Sequence, residues 1–179
     1  MIIYIVRHAS AGEHLNNPKK DEKRPLDADG IEQCGFVGRA LAALNVQPDV
    51  IISSPLKRAT QTASLVGNEI GYEGKLQLEA ALRPDASFAD FRHMLEKYSK
   101  HEAIMVVGHN PSITEFLARI IAKSGCEALV DFKKGAVARV ETVRHSATLN
   151  WFLTPKMARE IQAAAVASAE KSAPKTSRK

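Results

Sequence analysis

The feature that most constrains this chain is a set of three short, nearly all-apolar runs rich in β-branched residues. They are Ile2 to Val6, Val50 to Ile52 and Ala103 to Val107, with helical patterns between them. A strand that is apolar at every position, rather than every second one, belongs inside a sheet covered on both faces. Between the runs, Ala59, Ala63, Val66 and Ile70 are spaced for one helix face, and Ile113, Phe116, Leu117, Ile120 and Ile121 follow the spacing of another. The segment Asp27 to Leu44, carrying Ile31, Cys34, Val37, Leu41 and Leu44, also predicts a helix, although Gly35 and Gly38 weaken it. Strand alternating with helix predicts an α/β fold, three layers deep, with a mainly parallel sheet and right-handed crossovers. Ala136 to Val143 and Ala147 to Leu153, separated by Arg144-His145-Ser146, predict a hairpin that adds antiparallel strands at one edge. An Ala-rich helix follows from Pro155, strongest over Met157 to Ala169, and then a polar end from Lys171 to Lys179 that reads as disordered. The expected organisation is a domain over residues 1–155, a C-terminal helix over 156–170 and a basic tail over 171–179.

At 179 residues, 45% hydrophobic and 25% charged, the composition is that of a soluble globular protein. A chain of this length buries roughly 70% of its unfolded surface and needs no cross-links or metals to hold its core. Cys34 and Cys126 are too few for a disulfide framework, and each reads as a small buried apolar residue. The net charge of +5 and the pI near 9.3 first raise the question of a polyanionic partner. Six basic and two acidic residues lie from Lys156 to Lys179, however, and the 155 residues before them carry 19 basic and 18 acidic. The basicity therefore belongs mainly to the tail. Basic residues are not interleaved with aromatics, which make up 6% of the chain, so nucleic acid is not an expected partner. No apolar run approaches the roughly 20 residues of a membrane span, and Met1 to Val6 lacks the features of a signal peptide. A cytoplasmic location is expected, with no membrane association.

The chemistry-bearing residues fall where the strands end. The first run passes directly into Arg7-His8, the second into Ser53-Ser54-Pro55-Leu56-Lys57-Arg58, and the third into Gly108-His109-Asn110-Pro111. Ligands of open parallel sheets bind at the carboxyl ends of the strands, so Arg7, His8, Arg58 and His109 converge on one edge. Ser54 and Asn110 suit helix N-caps, with Pro55 and Pro111 at the first helical positions, which adds two helix N-termini that favour an anion. Two arginines, two histidines and no carboxylate cluster describe a pocket for a phosphoryl dianion. Arg grips phosphate oxygens bidentately, and a neutral His is a competent nucleophile. Zinc would require a closer set of ligands free of arginines, and no Gly-x-Ser-x-Gly elbow, P-loop or dinucleotide fingerprint is present. Phosphoryl transfer without metal or cofactor is expected, and a module that binds phosphorylated partners without turnover is the non-enzymatic alternative.

The segments Arg7-His8, Ser53 to Thr62 and Gly108-His109-Asn110-Pro111-Ser112, in this order over roughly residues 1 to 155, resemble the histidine phosphatase superfamily with its phosphoglycerate mutase-like fold. The short length, Arg7-His8-Ala9 and Arg24-Pro25-Leu26 make the chain similar to the SixA-like phosphohistidine phosphatase branch. The resemblance implies that His8 is the nucleophile that becomes phosphorylated. It implies that Arg7 and Arg58 clamp the phosphoryl oxygens, and that His109 stabilises the transition state. Arg24 and Ser10 are candidates for substrate binding. The substrate implied is phosphohistidine on a histidine-containing phosphotransfer protein or another phosphoprotein, with inorganic phosphate as product. Other members carry an acid that protonates an alkoxide leaving group. In the small branch it often precedes a Leu-x-Pro, but here Ala81 precedes Leu82-Arg83-Pro84. Glu79 is the candidate acid, with Asp85 as its alternative in a phosphatase of small phosphomonoesters or pyrophosphates.

Overall fold

A computed structural model describes residues 1–122, 128–144 and 146–172. The three apolar runs become the central strands β1 (Ile2–Arg7), β2 (Val50–Ser53) and β4 (Ala103–Gly108), with the two-residue β3 (Gln77–Leu78) outside β2. The hairpin forms β5 (Val137–Val143) and β6 (Ser146–Leu153), and the sheet order is β3-β2-β4-β1-β5-β6. The first four of these are parallel, with Ile2 opposite Ala103 and Arg7 opposite Gly108, and β5 and β6 run antiparallel at the β1 edge. The α/β class and the antiparallel edge are as the periodicity predicts.

Helices cover both faces, and the strand alternation sorts the core between them. Tyr4, Val6, Ile51, Met105 and Val107 pack with Cys34, Val37 and Leu41 of α2 (Ala28–Ala43), with Ala59, Ala63 and Val66 of α3 (Lys57–Glu69), and with Ala158 of α6 (Pro155–Ser172). Ile3, Ile5, Ile52, Ile104 and Val106 pack with Phe91 and Met94 of α4 (Phe88–Lys97) and with Ile113, Phe116 and Leu117 of α5 (Ser112–Ile121). Phe91 and Phe116 stack with centroids 4.5 Å apart in the second layer. Each fully buried ring of this kind stabilises the fold by about 3 kcal/mol relative to exposure. Gly38 fits the α2 pattern for a packing reason, since a Cβ there would lie 2.5 Å from Cβ of Glu69 on α3. Cys34 is buried, which pushes its thiol up to about 12, whereas Cys126 lies outside the described residues.

Several local expectations are corrected. The α3 helix begins at Lys57 with Leu56 at the cap, not at Ser54-Pro55, because Ser54 is fully buried and its hydroxyl is bonded to His109. The α5 helix begins at Ser112 with Pro111 at the cap. Asn110 precedes a cis peptide bond, and its side chain accepts from Thr114 Oγ1 instead of capping a backbone amide. The α6 helix runs to Ser172, past the expected start of the tail, and the rest of that tail lies outside the described residues, as does His145 of the hairpin turn. Two helices were not anticipated. One is α1 (Pro18–Glu22), capped by Asn17; the other is α4, which carries a Ser87–Asp90 capping box. No helix among the described residues is long and apolar enough to cross a membrane.

Candidate active site

The three strand ends open onto a cleft of about 600 Å³ lined by Arg7, His8, Arg58 and His109. The backbone fixes them to one another. The His8 amide donates to the Gly108 carbonyl (3.0 Å) and the Ser54 amide to the Val107 carbonyl (2.9 Å), which ties β1, β4 and β2 together where the side chains emerge. Thr62 of α3 donates its hydroxyl to the Arg58 carbonyl (2.8 Å) and accepts from the Ala9 amide (3.1 Å), joining Arg58 to the residue after His8.

His8 is buried, and its Nδ1 lies 2.7 Å from the Ala9 carbonyl oxygen. A carbonyl only accepts, so Nδ1 carries the hydrogen and Nε2 keeps its lone pair in the neutral ring. Burial, aided by the charges of Arg58, Arg7 and Arg24, pushes the His8 pKa down to about 3 despite the Ala9 bond. The His109 ring lies 4.9 Å from that of His8, its Nε2 is 2.9 Å from Ser54 Oγ, and its buried Nδ1 has no partner among the described residues. Burial first, then repulsion from His8 and Arg58, lowers His109 to about 2. Both rings are therefore neutral near pH 7.

The guanidiniums are each anchored at one end. Arg7 Nη1 donates to the Phe132 carbonyl (2.7 Å), an oxygen also reached by Asn110 Nδ2 (3.4 Å). Arg58 Nη1 donates to the backbone carbonyl (2.9 Å) and carboxylate (3.2 Å) of Asp21. The Nε atoms of Arg7 and Arg58 are buried without a partner among the described residues. Desolvation lowers both arginine pKa values, partly offset by Asp131 for Arg7 and Asp21 for Arg58. Arg24 also lines the cleft; its Nε pairs with Asp21 Oδ1 at 2.8 Å and its Nη1 bonds the Ala11 and Gly12 carbonyls.

Other expected residues fall elsewhere. Ser10 Oγ donates to Asp27 Oδ2 (2.8 Å), where Asp27 caps α2, and it does not line the cleft. Glu79 also lies outside it. Its carboxylate accepts from Tyr98 Oη (2.9 Å) and pairs with Lys97, and it borders an adjoining hollow instead. Burial opposes its ionisation, but the Lys97 and Tyr98 bonds outweigh that and lower its pKa, so Glu79 is not placed or protonated as an acid for the cleft. Asp85 does line the cleft, 81% exposed at its side chain and 3.7 Å from Arg83 Nε. Sequence reasoning missed Asp21, Arg83, Lys134 and His14, all of which line the cleft. Arg83 pairs with Glu22 of α1 and so joins the two cleft walls. Among the described residues no cluster of three or more His, Cys, Asp or Glu is disposed to hold a metal.

Residues 3–84 match the histidine phosphatase superfamily (branch 1). The chain is 31% identical over 123 residues to an uncharacterized protein of Picosynechococcus sp., covering 67% of this chain and 73% of that protein. It is 38% identical over 85 residues to the mitochondrial serine/threonine-protein phosphatase Pgam5 of Drosophila pseudoobscura pseudoobscura, covering 47% of this chain. It spans only 28% of that fly protein's length, and 24% of the Pgam5 of Drosophila persimilis. In fold it is similar to the protein histidine phosphatase SixA solved with tungstate, at a TM-score of 0.77 and 24% identity, covering 87% of this chain and 98% of that one. The SixA of Agrobacterium tumefaciens gives a TM-score of 0.73 at 22% identity, covering 86% and 97%. A phosphoglycerate mutase of Bacillus anthracis gives 0.69 at 13%, covering 90% and 96%. The strand-end histidines and arginines, the six-stranded sheet that carries them and these likenesses agree, and the chain belongs to the histidine phosphatase superfamily.

Proposed function

We propose that this protein is a phosphatase that hydrolyses phosphohistidine on a protein substrate, through a phosphohistidine formed at its own His8. The observation that carries the reading is the state of the His8 ring. It is held neutral, with Nδ1 occupied by the Ala9 carbonyl, so the Nε2 lone pair is available beside two arginines with donors to spare. The oxyanion seen with the SixA protein is of the kind such a cleft would hold.

In the first step the Nε2 lone pair forms a bond to phosphorus while the bond from phosphorus to the substrate's imidazole nitrogen breaks. That ring, protonated before it departs, leaves as neutral histidine. Arg7 and Arg58 hold the equatorial oxygens, and catalysis rests on orientation and charge. In this mechanism the Ser54 hydroxyl, whose oxygen accepts from the Leu56 amide at 3.4 Å and lies 2.9 Å from His109 Nε2, acts as the donor to that nitrogen. This leaves the hydrogen on His109 Nδ1, free to bond a phosphoryl oxygen. In the second step water attacks phosphorus, the bond to Nε2 breaks, and phosphate leaves with the water's remaining hydrogen while its other proton passes to solvent. His8 returns neutral.

The leaving group sets the preference. An alkoxide departs poorly without a proton donor, whereas an imidazole protonates near its own pKa of about 6.5. With Glu79 held outside the cleft, and Asp85 at the cleft largely exposed and ion-paired with the Arg83 guanidinium, N–P substrates are favoured over phosphoesters. The substrate class is a phosphorylated histidine-containing phosphotransfer domain, whose side chain can reach into an open cleft. Purified protein is expected to give kcat/KM at least about tenfold higher on such a domain than on a phosphoserine peptide or an aryl phosphate. The reverse order would sink the preference. Glu79→Gln is expected to change turnover of an aryl phosphate by less than about threefold, and a loss of tenfold or more would restore it as the acid.

A further inference from the structure

Of the three carboxylates that line the cleft, Asp21, Glu22 and Asp85, only Asp21 is buried. Asp21 is 7% exposed at its side chain and sits among Arg24, Arg58 and the Leu15 amide. Burial opposes its charge, but the Leu15 and Arg24 bonds and the field of Arg58 outweigh that and lower its pKa to about 2. A fixed anion here subtracts from the attraction any phosphoryl group would feel, so its presence calls for a compensating role.

The bonding pattern supplies one. Arg58 enters from α3 and Arg24 from the loop after α1, two like charges whose fields oppose each other. Asp21 takes Arg24 Nε on Oδ1 and Arg58 Nη1 on Oδ2, and its own backbone carbonyl takes the same Nη1 at 2.9 Å. The Arg58 head is thereby held by one nitrogen, leaving Nη2 and the unpartnered Nε for a ligand. We propose that Asp21 is a positioning residue that acts through Arg58, fixing that guanidinium as a preformed oxyanion fork at the expense of some net attraction. The inference rests on the reading of the cleft as a phosphoryl site.

Because positioning and charge act in opposite directions, the sign of one measurement separates them. Removing an anion from an anion site tightens binding if charge alone matters, whereas freeing Arg58 loosens it. Isothermal titration of inorganic phosphate, which needs no turnover, is expected to show Asp21→Asn binding about tenfold more weakly than the wild-type protein. In an Arg58→Ala background, adding Asp21→Asn is expected to leave phosphate affinity unchanged or tighter, because the group through which Asp21 works has gone. Should Asp21→Asn fail to fold, the comparison of Arg58→Ala with the double variant carries the test. Weaker phosphate binding in the double variant overturns the inference. Tighter binding by Asp21→Asn alone, with wild-type binding intact, overturns the positioning role and leaves the phosphoryl site standing. Absence of phosphate binding by the wild-type protein overturns both.

Discussion

Replacing His8 by Ala is expected to abolish turnover of every phosphorylated substrate, by about 10⁴-fold or more, the scale of losing a covalent nucleophile. The mechanism allows no neighbour to take over. His109 lies 4.9 Å away ring to ring, but its Nε2 is bonded to Ser54 Oγ, and in the proposed mechanism its Nδ1 serves as a donor to the phosphoryl oxygens. Arg7 and Arg58 are anchored independently of the His8 ring, by Phe132 and Asp21, so phosphate affinity should change far less than turnover. Two assays check this together: single-turnover hydrolysis of a labelled phosphohistidine protein, and alkaline gel analysis of label on the enzyme, since N–P bonds survive base. Wild type should carry label and the variant none. Turnover retained by His8→Ala would refute the covalent route.

The second large effect is on stability in acid. His8 and His109 have folded-state pKa values of about 3 and about 2 against 6.5 for the exposed ring. Between those values the unfolded chain binds protons that the folded one refuses, so stability is full above about pH 6.5 and is lost as the pH falls toward 3. Two such groups give a slope of up to about 3 kcal/mol per pH unit. The Asp21 carboxyl, also depressed, adds to the loss only below its ordinary 3.8. Thermal melts are expected to drop by about 10 to 20 °C between pH 6.5 and 4.5 for a chain of this size. His109→Gln should roughly halve that slope, and saturating phosphate should flatten it, because a bound phosphate anion offsets the penalty of charging a buried imidazole. A melting temperature that does not move over this interval would show that neither ring is held neutral by its surroundings.

The parts of the fold legible in the sequence were those set by periodicity and chain order. An apolar run such as Ile2 to Val6 has little alternative to a doubly covered strand, and a residue directly after such a run is carried to the ligand edge by topology alone. That is why the sequence alone brings Arg7, His8, Arg58 and His109 together. Asp21 was illegible for the opposite reason. It sits within the charged stretch Lys19 to Arg24, which reads as solvated loop, and its partner Arg58 lies 37 residues away. Glu79 misled because alternation on a strand gives direction relative to neighbours but not the identity of what waits there, in this case Lys97 at the end of α4 and Tyr98 at its C-cap. That helix did announce itself, through the Ser87–Asp90 box and the spacing of Phe88, Phe91 and Met94, and went unread. The caps were misplaced where a hydroxyl had a better-paid tertiary partner than its own helix, as Ser54 has in His109.

The cleft wall formed by α1 has a consequence for the fate of the intermediate. It is a five-residue helix joined to the opposite wall by Glu22 and Arg83, and Asp85 beside it is largely exposed. A covalent phosphoryl group in such a site faces two acceptors, the departed first substrate and bulk water. An enclosing cap would retain the first and let it receive the group at another position, which is isomerisation. A wall made of one short helix would instead release it by diffusion and leave solvent as the acceptor in overwhelming excess. In the proposed mechanism the partition between mutase and hydrolase outcomes would then turn on how long the leaving group is kept, and so on the residues of the α1 wall, such as Pro18, Asp21 and Glu22, rather than on His8.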